Sequence, residues 1–411
     1  MEVIVERCAF LDVHRDTVMA CARTPDGHGG RREEVTEFRT TTSQLLLLAD
    51  WLVERGVTLV GMEATGVYWK PVHWILEEAI EAVWVINARH MRNVPGRKTD
   101  VADAQWGAQL IEHGLVRPSF IPPRPTREQR DLTRYRKSVI EERARETQRL
   151  HKVLEDAGVK LSSVASSVLT KSGREMIDAL IAGQRDPEIL AEMARGRMRS
   201  KIPELQDALA GRFNEHHALL CRTMLARVDQ ADATIEELTA RIEKLLDPHE
   251  AAVSLLVGIP GVSYRTAQVI LAEIGTDMSR FPTAGHLASW AGMCPGNNES
   301  AGKHRSGRTR HGSKWLRIAL VEAGHAAGRS KDTYLAAHYH RIRGRRGPGR
   351  AAVAVGHSIL VIAWHLLSTG ETYTDLGGDY FDKRRSSPAR ERRLVAQLKE
   401  MGHRVTLQPA A

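Results

Sequence analysis

The N-terminal part of the chain alternates between short apolar runs and amphipathic segments, and this order constrains the fold more than any other feature. Residues 8–23 contain two apolar runs joined by the polar pair Arg15-Asp16, and the turn Pro25-Asp26-Gly27 precedes a third run, EVTEFR. Apolar runs separated by turn residues are typical of strands. The pattern predicts a three-stranded meander.

Helical and strand-like segments then alternate. Thr41 or Thr42 can cap a helix through Arg55, and Gly56 can end it. The nearly continuous apolar run VTLVGME predicts a strand covered on both faces. A helix over about residues 68–81, the strand AVWVIN and a helix starting near Thr99 complete the order β-β-β-α-β-α-β-α. This is the order of the RNase H-like fold, so we expect an α/β RNase H-like N-terminal domain.

Four acidic residues occupy positions that this fold would bring together. Asp12 interrupts the first apolar strand and Glu63 ends the fourth, and these two strands are neighbours in an RNase H-like sheet. Asp100 and Asp103 lie on one helical face, because residues three apart are adjacent on a helix. Crowded carboxylates repel one another, and Mg²⁺ removes that cost; two ions about 4 Å apart can activate one oxygen and stabilise another.

The simpler explanation for a D-x-x-D pair is a solvated helix face or an interaction with the helix dipole. Asp12 is harder to explain in that way, because an isolated carboxylate in an apolar strand carries a desolvation cost. We therefore predict a Mg²⁺ site formed by Asp12, Glu63, Asp100 and Asp103.

The charge balance indicates a polyanionic partner. Lys and Arg outnumber Asp and Glu by 59 to 50, the formal net charge is +9 and the pI is about 9.5. We expect no membrane segment, because no apolar run approaches the roughly 18 residues required and the N-terminus MEVIVERCAF lacks signal-peptide features. The four cysteines form no C-x-x-C pair, which fits a reduced cytoplasm and predicts no thiolate zinc site.

A chain of 411 residues predicts two or three domains. A proline-rich hinge, residues 117–126, should separate a domain over residues 1–116 from a helical region over residues 127–250. Between Arg127 and Lys152 there are nine Lys/Arg and five Asp/Glu. This run favours either a coiled-coil arm that touches phosphates or an ordinary charged helix face. His216, His217 and Cys221 are too few for a metal site.

The region 251–370 should be a mostly α-helical domain. Its G-I-P-G turn resembles a helix-hairpin-helix, which would present backbone N–H groups at Gly258 and Gly261 to a phosphate, although such turns also serve helix packing. Residues 301–350 contain thirteen Lys/Arg and two acids. Residues 371–411 should be a basic, partly disordered tail with at most one short helix. The predicted nucleic-acid contacts are Lys98, Gly258, Gly261, Lys303, Arg305, Arg308, Arg310, Lys314 and Arg317.

Ser300 precedes this basic segment in NNESAGKHRSGRTRHGSKWLR. A serine that attacks a phosphodiester needs its proton removed and the charge of the pentavalent phosphorus neutralised, and arginines can do the second. On these residues alone, a serine in a polar loop is more often an ordinary loop residue.

Several motifs in one order resemble a known family. They are LDVH (11–14), MEATGVY (62–68), KTDVADA (98–104), GIPGVSYRTA (258–267), and the stretch from Phe281 to Ser300 that continues to HGSKWLR. The chain resembles the DEDD transposases of the insertion sequence one-hundred-and-ten type, including the eleven-eleven group. The resemblance implies that Asp12, Glu63, Asp100 and Asp103 are RuvC-like acids and that Ser300 is the catalytic serine. Leu11 stands where glycine is common, and Ala301 follows the serine where glycine is usual.

The resemblance also implies an activity and partners. Such a protein would be a site-specific recombinase that cuts and rejoins DNA through a covalent phosphoserine, with Mg²⁺ as cofactor and a structured noncoding RNA as guide. It would act as a homo-oligomer, a dimer or tetramer, at the nucleoid in a prokaryotic cytoplasm. The acids and the serine lie in different domains, so whether one active site is shared between protomers stays open. Two alternatives stay open: a RuvC-like nuclease or Holliday-junction resolvase that uses water, and a noncatalytic DNA- or RNA-binding protein.

Overall fold

The computed structural model of the chain describes residues 2–64, 66–87, 91, 99–295, 299–300, 303–304, 309, 311–383 and 387–407. The chain divides into two compact units, Met1–Ile121 and Pro122–Ala411. We call them the N-terminal unit and the helical unit.

The N-terminal unit has the predicted order of elements. These are β1 Cys8–Val13, β2 Thr17–Pro25, β3 Arg31–Arg39, α1 Thr42–Glu54, β4 Leu59–Glu63, α2 Trp69–Ala79, β5 Ala82–Ile86 and α3 Asp100–Glu112. The sheet order is β3-β2-β1-β4-β5, with β2 antiparallel to β1 and β3, and with β4 parallel to β1 and β5. The expected pairing of the first and fourth strands is confirmed. A mixed sheet with this order is compatible with an RNase H-like domain.

Helices cover both faces of the sheet, and the strand residues alternate between two cores. One core lies under α1 and α2 and includes Leu11, Leu48 and Met62. The other lies under α3 and includes Phe10 and Ile111. The apolar character of β1 and β4 follows from burial on both faces.

The proline-rich segment is divided between the two units. Pro118 forms a bridge with Ile86 at the sheet edge, and the Ser119 N–H donates to Val85 O at 2.7 Å. The first helix of the helical unit already begins at Arg124, because a proline is tolerated in the first helical turn. The start of the predicted hinge is therefore ordered by contacts with β5, and its end belongs to α4.

Two long helices run antiparallel in the helical unit. They are α4 Arg124–Asp156 and α9 Glu215–Leu246, and between them in sequence lie α5 Leu161–Val164, α6 Lys171–Ile181, α7 Pro187–Glu192 and α8 Ile202–Leu209. Ion pairs mark the antiparallel register: Arg143 pairs with Asp232, and Asp156 contacts His217. The short helices form a core with the adjoining ends of α4 and α9, around Leu150, Ile177, Leu190, Leu205 and Cys221. Residues 160–200 carry no informative sequence motif, yet they belong to this core.

The remaining elements are mostly helical. They are α10 Glu250–Val257, α11 Tyr264–Ile274, α12 Ala284–Trp290, β6 Glu299–Ser300, β7 Lys303–His304, α13 Lys314–Ala327, α14 Tyr334–Arg346, α15 Pro348–Thr369, α16 Tyr380–Lys383 and α17 Ser387–Glu400. The C-terminal segment thus contains two helices where the sequence predicts at most one. Phe381 of α16 stacks on Tyr334 of α14, so that this short helix is tied to the unit.

One expectation about apolar runs is wrong. Among the described residues, α15 is a helix long and apolar enough to cross a membrane by length and composition alone, and residues 351–369 contain no charged side chain. The helix has a buried stripe and packs against its neighbours through glycines. A Cβ on Gly324 of α13 would lie 2.4 Å from Ala352 O, and one on Gly356 would lie 2.8 Å from Leu320 O. The run is apolar because α15 is a core helix of this unit.

Candidate metal-binding active site

Asp12 lies at the carboxyl end of β1, on the sheet face that α3 covers. Cys8 and Phe10 pack in the core under α3, whereas Leu11 packs in the core on the other face. Side chains alternate along a strand, so Asp12 projects on the side of Phe10. Its side chain is 14% exposed. The carboxylate is therefore largely desolvated but still reachable from solvent.

Glu63 occupies the corresponding position on β4. The two strands are parallel and adjacent, and the last pair in their register is Leu11 with Met62. Asp12 and Glu63 each follow that pair directly. Since residues in register on adjacent strands point to the same face, both carboxylates leave the sheet on the α3 side. Glu63 is half-buried.

The first turn of α3 supplies the other two acids. The Thr99 side chain accepts a hydrogen bond from the Ala102 N–H at 3.2 Å, which fixes the start of the helix. Asp100 and Asp103 both lie in the first turn, where the helix dipole also favours negative charge. The predicted position of this helix start is confirmed.

Two glycines allow α3 to approach the sheet closely. A Cβ on Gly107 would lie 2.3 Å from the Phe10 ring, and a Cβ on Gly61 of β4 would lie 2.3 Å from Ile111 Cδ1. Both distances are far below van der Waals contact, so a larger residue at either position would push the helix away. This packing brings the first turn of α3, and Asp100 with it, to the end of β1.

His14 joins this cluster and was missed by the sequence analysis. Its Nε2 lies 3.2 Å from Asp12 Oδ2 and 3.5 Å from Asp100 Oδ1. One ligand atom from each of these three residues lies within 4.8 Å of the other two. The alternation of strand side chains was a usable signal, because residues 12 and 14 share one face of an extended chain.

The charges of the site act on Asp12. Burial raises the pKa of the Asp12 carboxyl, and repulsion from Asp100 and Asp103 adds to the effect. His14 opposes it, both by its charge when protonated and by a hydrogen bond. The structure therefore brings Asp12, Asp100 and Asp103 into electrostatic contact, and Glu63 leaves the same face of the neighbouring strand.

The donor set fits a divalent cation. Carboxylate oxygens are the ligands that Mg²⁺ and Ca²⁺ prefer, and an imidazole nitrogen suits transition metals better. Two carboxylates and one imidazole converge within 4.8 Å, and burial together with mutual repulsion disfavours the negative charge of Asp12. A cation bound here would offset that cost. Among the described residues this is the one group of three or more such ligands.

Ser300 lies in a two-stranded hairpin of the helical unit. Its backbone pairs with that of Lys303, and that of Glu299 pairs with His304. Pro295 and Thr309 form a further antiparallel bridge. Lys98, Arg305, Arg308 and Arg310 lie outside the described residues. Lys314 is exposed and Arg317 half-buried, both in the first turn of α13.

The G-I-P-G turn packs tightly on a neighbouring helix. Gly261 has a φ of +88°, and a Cβ there would lie 2.5 Å from Ala323 O and from Ala327 N of α13. Helix packing thus explains this glycine. Gly258 is the C-cap of α10. Contact of either glycine with nucleic acid stays a prediction.

His217 and Cys221 have structural roles. His217 completes the capping box at the start of α9 with Asn214, and its Nε2 lies 3.2 Å from Asp156 Oδ2. Cys221 is buried in the core of the short helices. His216 stacks edge-on against His217.

A buried carboxylate links the N-terminus of α13 to the long helix α4. Glu273 of α11 is 1% exposed and accepts two hydrogen bonds from the Arg134 guanidinium, at 2.8 and 2.9 Å. It also accepts one from Ser313, whose side chain caps α13. Arg130 donates to the backbone oxygens of Ala272 and Glu273. Glu273 of α11 therefore links the N-terminus of α13 to α4.

Two family models match this chain. Residues 11–158 match a model of DEDD transposases of the IS110 type, which is described simply as transposase. Residues 253–340 match a model described as transposase of the IS116/IS110/IS902 family. The first match covers all four predicted acids, and the second covers Ser300 and the G-I-P-G turn.

Curated relatives carry similar names. A putative transposase, y4pF/y4sB, of Sinorhizobium fredii is 29% identical over 50% of this chain and 51% of its own length. The transposase for insertion sequence element IS1111A of Coxiella burnetii is 25% identical over 70% of this chain and 72% of its own length. An IS110 insertion element protein of Streptomyces coelicolor is 32% identical over 33% of each chain.

The fold, the acidic cluster and both matches define a transposase-type chain. It belongs to the DEDD transposases of the IS110 type. The chain spans about half the length of the first of the curated relatives that it matches.

Proposed function

We propose that this chain is a DNA transposase that cuts and rejoins DNA. Its N-terminal unit would be an RNase H-like, RuvC-like domain that holds Mg²⁺, and Ser300 of the helical unit would be the nucleophile. The observation that carries the proposal is the convergence of Asp12, His14 and Asp100 at the end of β1, beside the strand that ends in Glu63.

The acidic residues would bind the cation and hold it against the DNA. Asp12, Glu63, Asp100 and Asp103 supply the oxygen ligands in this proposal. His14, at 3.2 Å from Asp12, would orient that carboxylate or provide a further ligand. When bound, Mg²⁺ would supply positive charge next to the phosphate oxygens that gain negative charge during the reaction.

The proposed chemistry conserves one phosphodiester. The Ser300 oxygen forms a bond to the phosphorus, and the bond from phosphorus to the 3′ oxygen breaks. The serine proton passes to solvent, and the departing 3′ oxygen takes up a proton. A 3′ hydroxyl of another strand then attacks the phosphoserine, which rejoins the DNA and restores the serine.

Nucleic acid would be held by the basic residues of the helical unit, including Lys314 and Arg317. DNA of the element ends and of the target is the proposed substrate, and a noncoding RNA is the proposed guide. Sequencing the RNA that copurifies with the chain tests this last part. A homogeneous structured RNA is expected, and a random sample of cellular RNA would contradict a guide.

A covalent adduct is the decisive measurement for the nucleophile. We expect the wild type, with Mg²⁺, copurified RNA and DNA carrying the element ends, to give an SDS-resistant protein–DNA adduct. Ser300→Ala should give none, and Asp12→Asn should reduce the adduct at least about 100-fold, in the range of metal-site losses. Ser254→Ala and Asp50→Asn, both at exposed helix positions, are matched controls that should retain it. DNA cleavage without any adduct would contradict the phosphoserine.

A second candidate is a nuclease that uses water. One observation favours it: the three described groups that converge, Asp12, His14 and Asp100, all belong to the N-terminal unit. In that case Ser300→Ala should retain Mg²⁺-dependent cleavage while Asp12→Asn abolishes it. A noncatalytic binding protein would show no cleavage in the wild type, and neither substitution would change its binding of nucleic acid.

A further inference from the structure

A cleft of about 260 Å³ lies between α4, α11 and α13 of the helical unit. Part of its wall is apolar, formed by Ile140, Val269 and Ile318. The rest is cationic and aromatic, formed by residues that include Arg134, Arg136, Lys137, Arg265 and Trp315. The cleft is thus suited to a ligand with one flat apolar part and one anionic part.

Arg136 gives the cleft a buried positive charge. The residue is 2% exposed, and its guanidinium donates to Gln268 Oε1 at 2.7 Å and to Thr239 Oγ1 at 3.3 Å, both neutral acceptors. Within the described part of the chain, no carboxylate lies within 4 Å of it. Burial and the neighbouring Arg265 lower the pKa of Arg136 to about 10, and the negative charge of Glu243 acts in the opposite direction.

A buried charge whose hydrogen-bond acceptors are all neutral is costly, and an anion in direct contact would relieve the cost. Gln268 adds to this picture, because its Nε2 is buried and has no hydrogen-bond partner among the described residues. The polar groups around Arg136 are therefore incompletely hydrogen-bonded by the residues that the structure describes.

The rim of the cleft has cations in excess of acids. Lys137 forms an ion pair with Glu322, with 2.8 Å between Nζ and Oε1. Arg134 is held by the buried Glu273. Arg265 is exposed and forms no ion pair with any residue that the structure describes. After these pairings Arg136 and Arg265 remain, and both line the cleft.

Trp315 supplies the aromatic wall. Its ring is half-buried, and it lines the cleft together with Ile318 of the same helix and Ile140 of α4. Aromatic rings in cationic grooves are stacking platforms for nucleobases. The volume of about 260 Å³ is just below the roughly 300–1,000 Å³ of ordinary small-ligand sites, so one nucleotide is the appropriate size.

We propose that this cleft binds a single nucleoside monophosphate unit, with the phosphate near Arg136 and Arg265 and the base against Trp315. The unit comes either from an unstacked position in a nucleic-acid strand, which rests on the proposed function, or from a free nucleotide. The two sources share one chemistry and are separated by the experiment.

Calorimetric titration of the full chain with dAMP, without divalent metal, tests the site. We expect saturable binding of one dAMP per chain. Arg265→Ala should weaken it roughly tenfold, and Trp315→Ala at least roughly fivefold, with partial recovery in Trp315→Phe. Arg241→Ala and Trp74→Ala, which change exposed residues outside the cleft, should bind as the wild type does. Absence of saturation at millimolar dAMP, or binding unchanged by both cleft variants, would overturn the proposal.

Competition experiments identify the source of the ligand and its base. Inorganic phosphate should compete only weakly with dAMP, and its own binding should not change in Trp315→Ala. Phosphate that binds as tightly as dAMP would overturn the nucleotide assignment. A single-stranded oligonucleotide that displaces dAMP supports a strand as the source, and one that does not assigns the cleft to a free nucleotide. The same titration in Asp12→Asn should be unchanged, so a failure of the catalytic proposal is distinguishable from a failure here.

Discussion

The ring of Phe10 occupies the space that a side chain at position 107 would need. A Cβ on Gly107 would lie 2.3 Å from two atoms of that ring. The ring belongs to β1 two residues before Asp12, and Gly107 belongs to the helix that carries Asp100. The spacing between these two acids therefore depends on a contact that involves neither of them.

Gly107→Ala should separate the acids by moving α3. Overpacking of this kind typically costs about 1–3 kcal/mol, and we expect the free energy of unfolding to fall by that amount and Mg²⁺-dependent activity to fall with it. Gly344→Ala is the matched control, since that helical glycine is exposed with no atom within 4 Å of a built Cβ. It should stabilise the chain by about 0.5–1 kcal/mol. Equal stability of the two variants in urea denaturation would contradict this packing.

Asp12→Asn should stabilise the metal-free protein while removing its activity. The pKa of Asp12 is raised in the folded state by burial first and then by Asp100 and Asp103. The folded state therefore keeps the Asp12 proton to a higher pH than the unfolded state does. Stability must fall as the pH rises from the ordinary Asp value through the raised value.

The measurement is the melting temperature in EDTA between about pH 3.5 and pH 7. The difference between Asp12→Asn and wild type should grow in favour of the variant across this interval. Addition of Mg²⁺ should raise the melting temperature of the wild type and not that of the variant. A wild type that is the more stable protein in EDTA at pH 7 would count against a crowded acidic site.

Glu273→Gln should destabilise the helical unit. The substitution leaves Arg134 without its buried ionic partner, and breaking a buried pair in this way typically costs about 3–5 kcal/mol. Hydrogen exchange should speed up in α11 and at the start of α13, where Ser313 loses its charged acceptor. Glu192→Gln removes the exposed partner of Arg199 and should change stability by less than about 1 kcal/mol. Similar hydrogen-exchange rates in Glu273→Gln and Glu192→Gln would contradict a stabilising role for the buried Glu273–Arg134 ion pair.

Thiol reactivity should separate the four cysteines. Burial raises the pKa of Cys8 and of Cys21 to about 12 and that of Cys221 to about 11, whereas Cys294 is half-buried. Since the thiolate is the reactive form, fewer than about one in a thousand molecules are reactive at any of the first three positions at pH 8. A native reaction with a disulfide reagent should label Cys294 first and should label all four only in denaturant. Rapid labelling of Cys8 would mean that the core under α3 opens readily.

Local signals predicted the N-terminal unit well. Apolar runs, the cap at Thr99 and the stop at Gly56 each lie within a few residues of the feature that they specify. Parallel pairing of the strands that carry Asp12 and Glu63 then followed from the order of elements. His14 was missed although strand alternation places it beside Asp12, because an imidazole next to an acid carries no spacing signature of its own.

The fold of the helical unit depends more on contacts between residues that are distant in sequence, and local sequence patterns do not identify those partners. Gly261 packs on Ala327, and only the structure identifies that partner. The arginines of α4 looked like either phosphate contacts or a solvated face, and several of them instead bind acids of α9 and α11, as Arg143 binds Asp232. The apolar run of α15 is visible in the sequence, but its role as a core helix follows from its contacts with α10, α12, α13 and α14.

The antiparallel pair α4 and α9 acts as a spacer of fixed length. Arg134 near one end of α4 meets α11, and Leu154 near the other end enters the core of the short helices. The twenty residue steps from Arg134 to Leu154 separate these two attachments by about 30 Å. Deletion of seven residues from each helix would shorten the span by about 10 Å and keep the same side chains facing each other. The distance between these two attachments can therefore change in evolution, by gain or loss of whole heptads, without any change in the residues of α11 and α13.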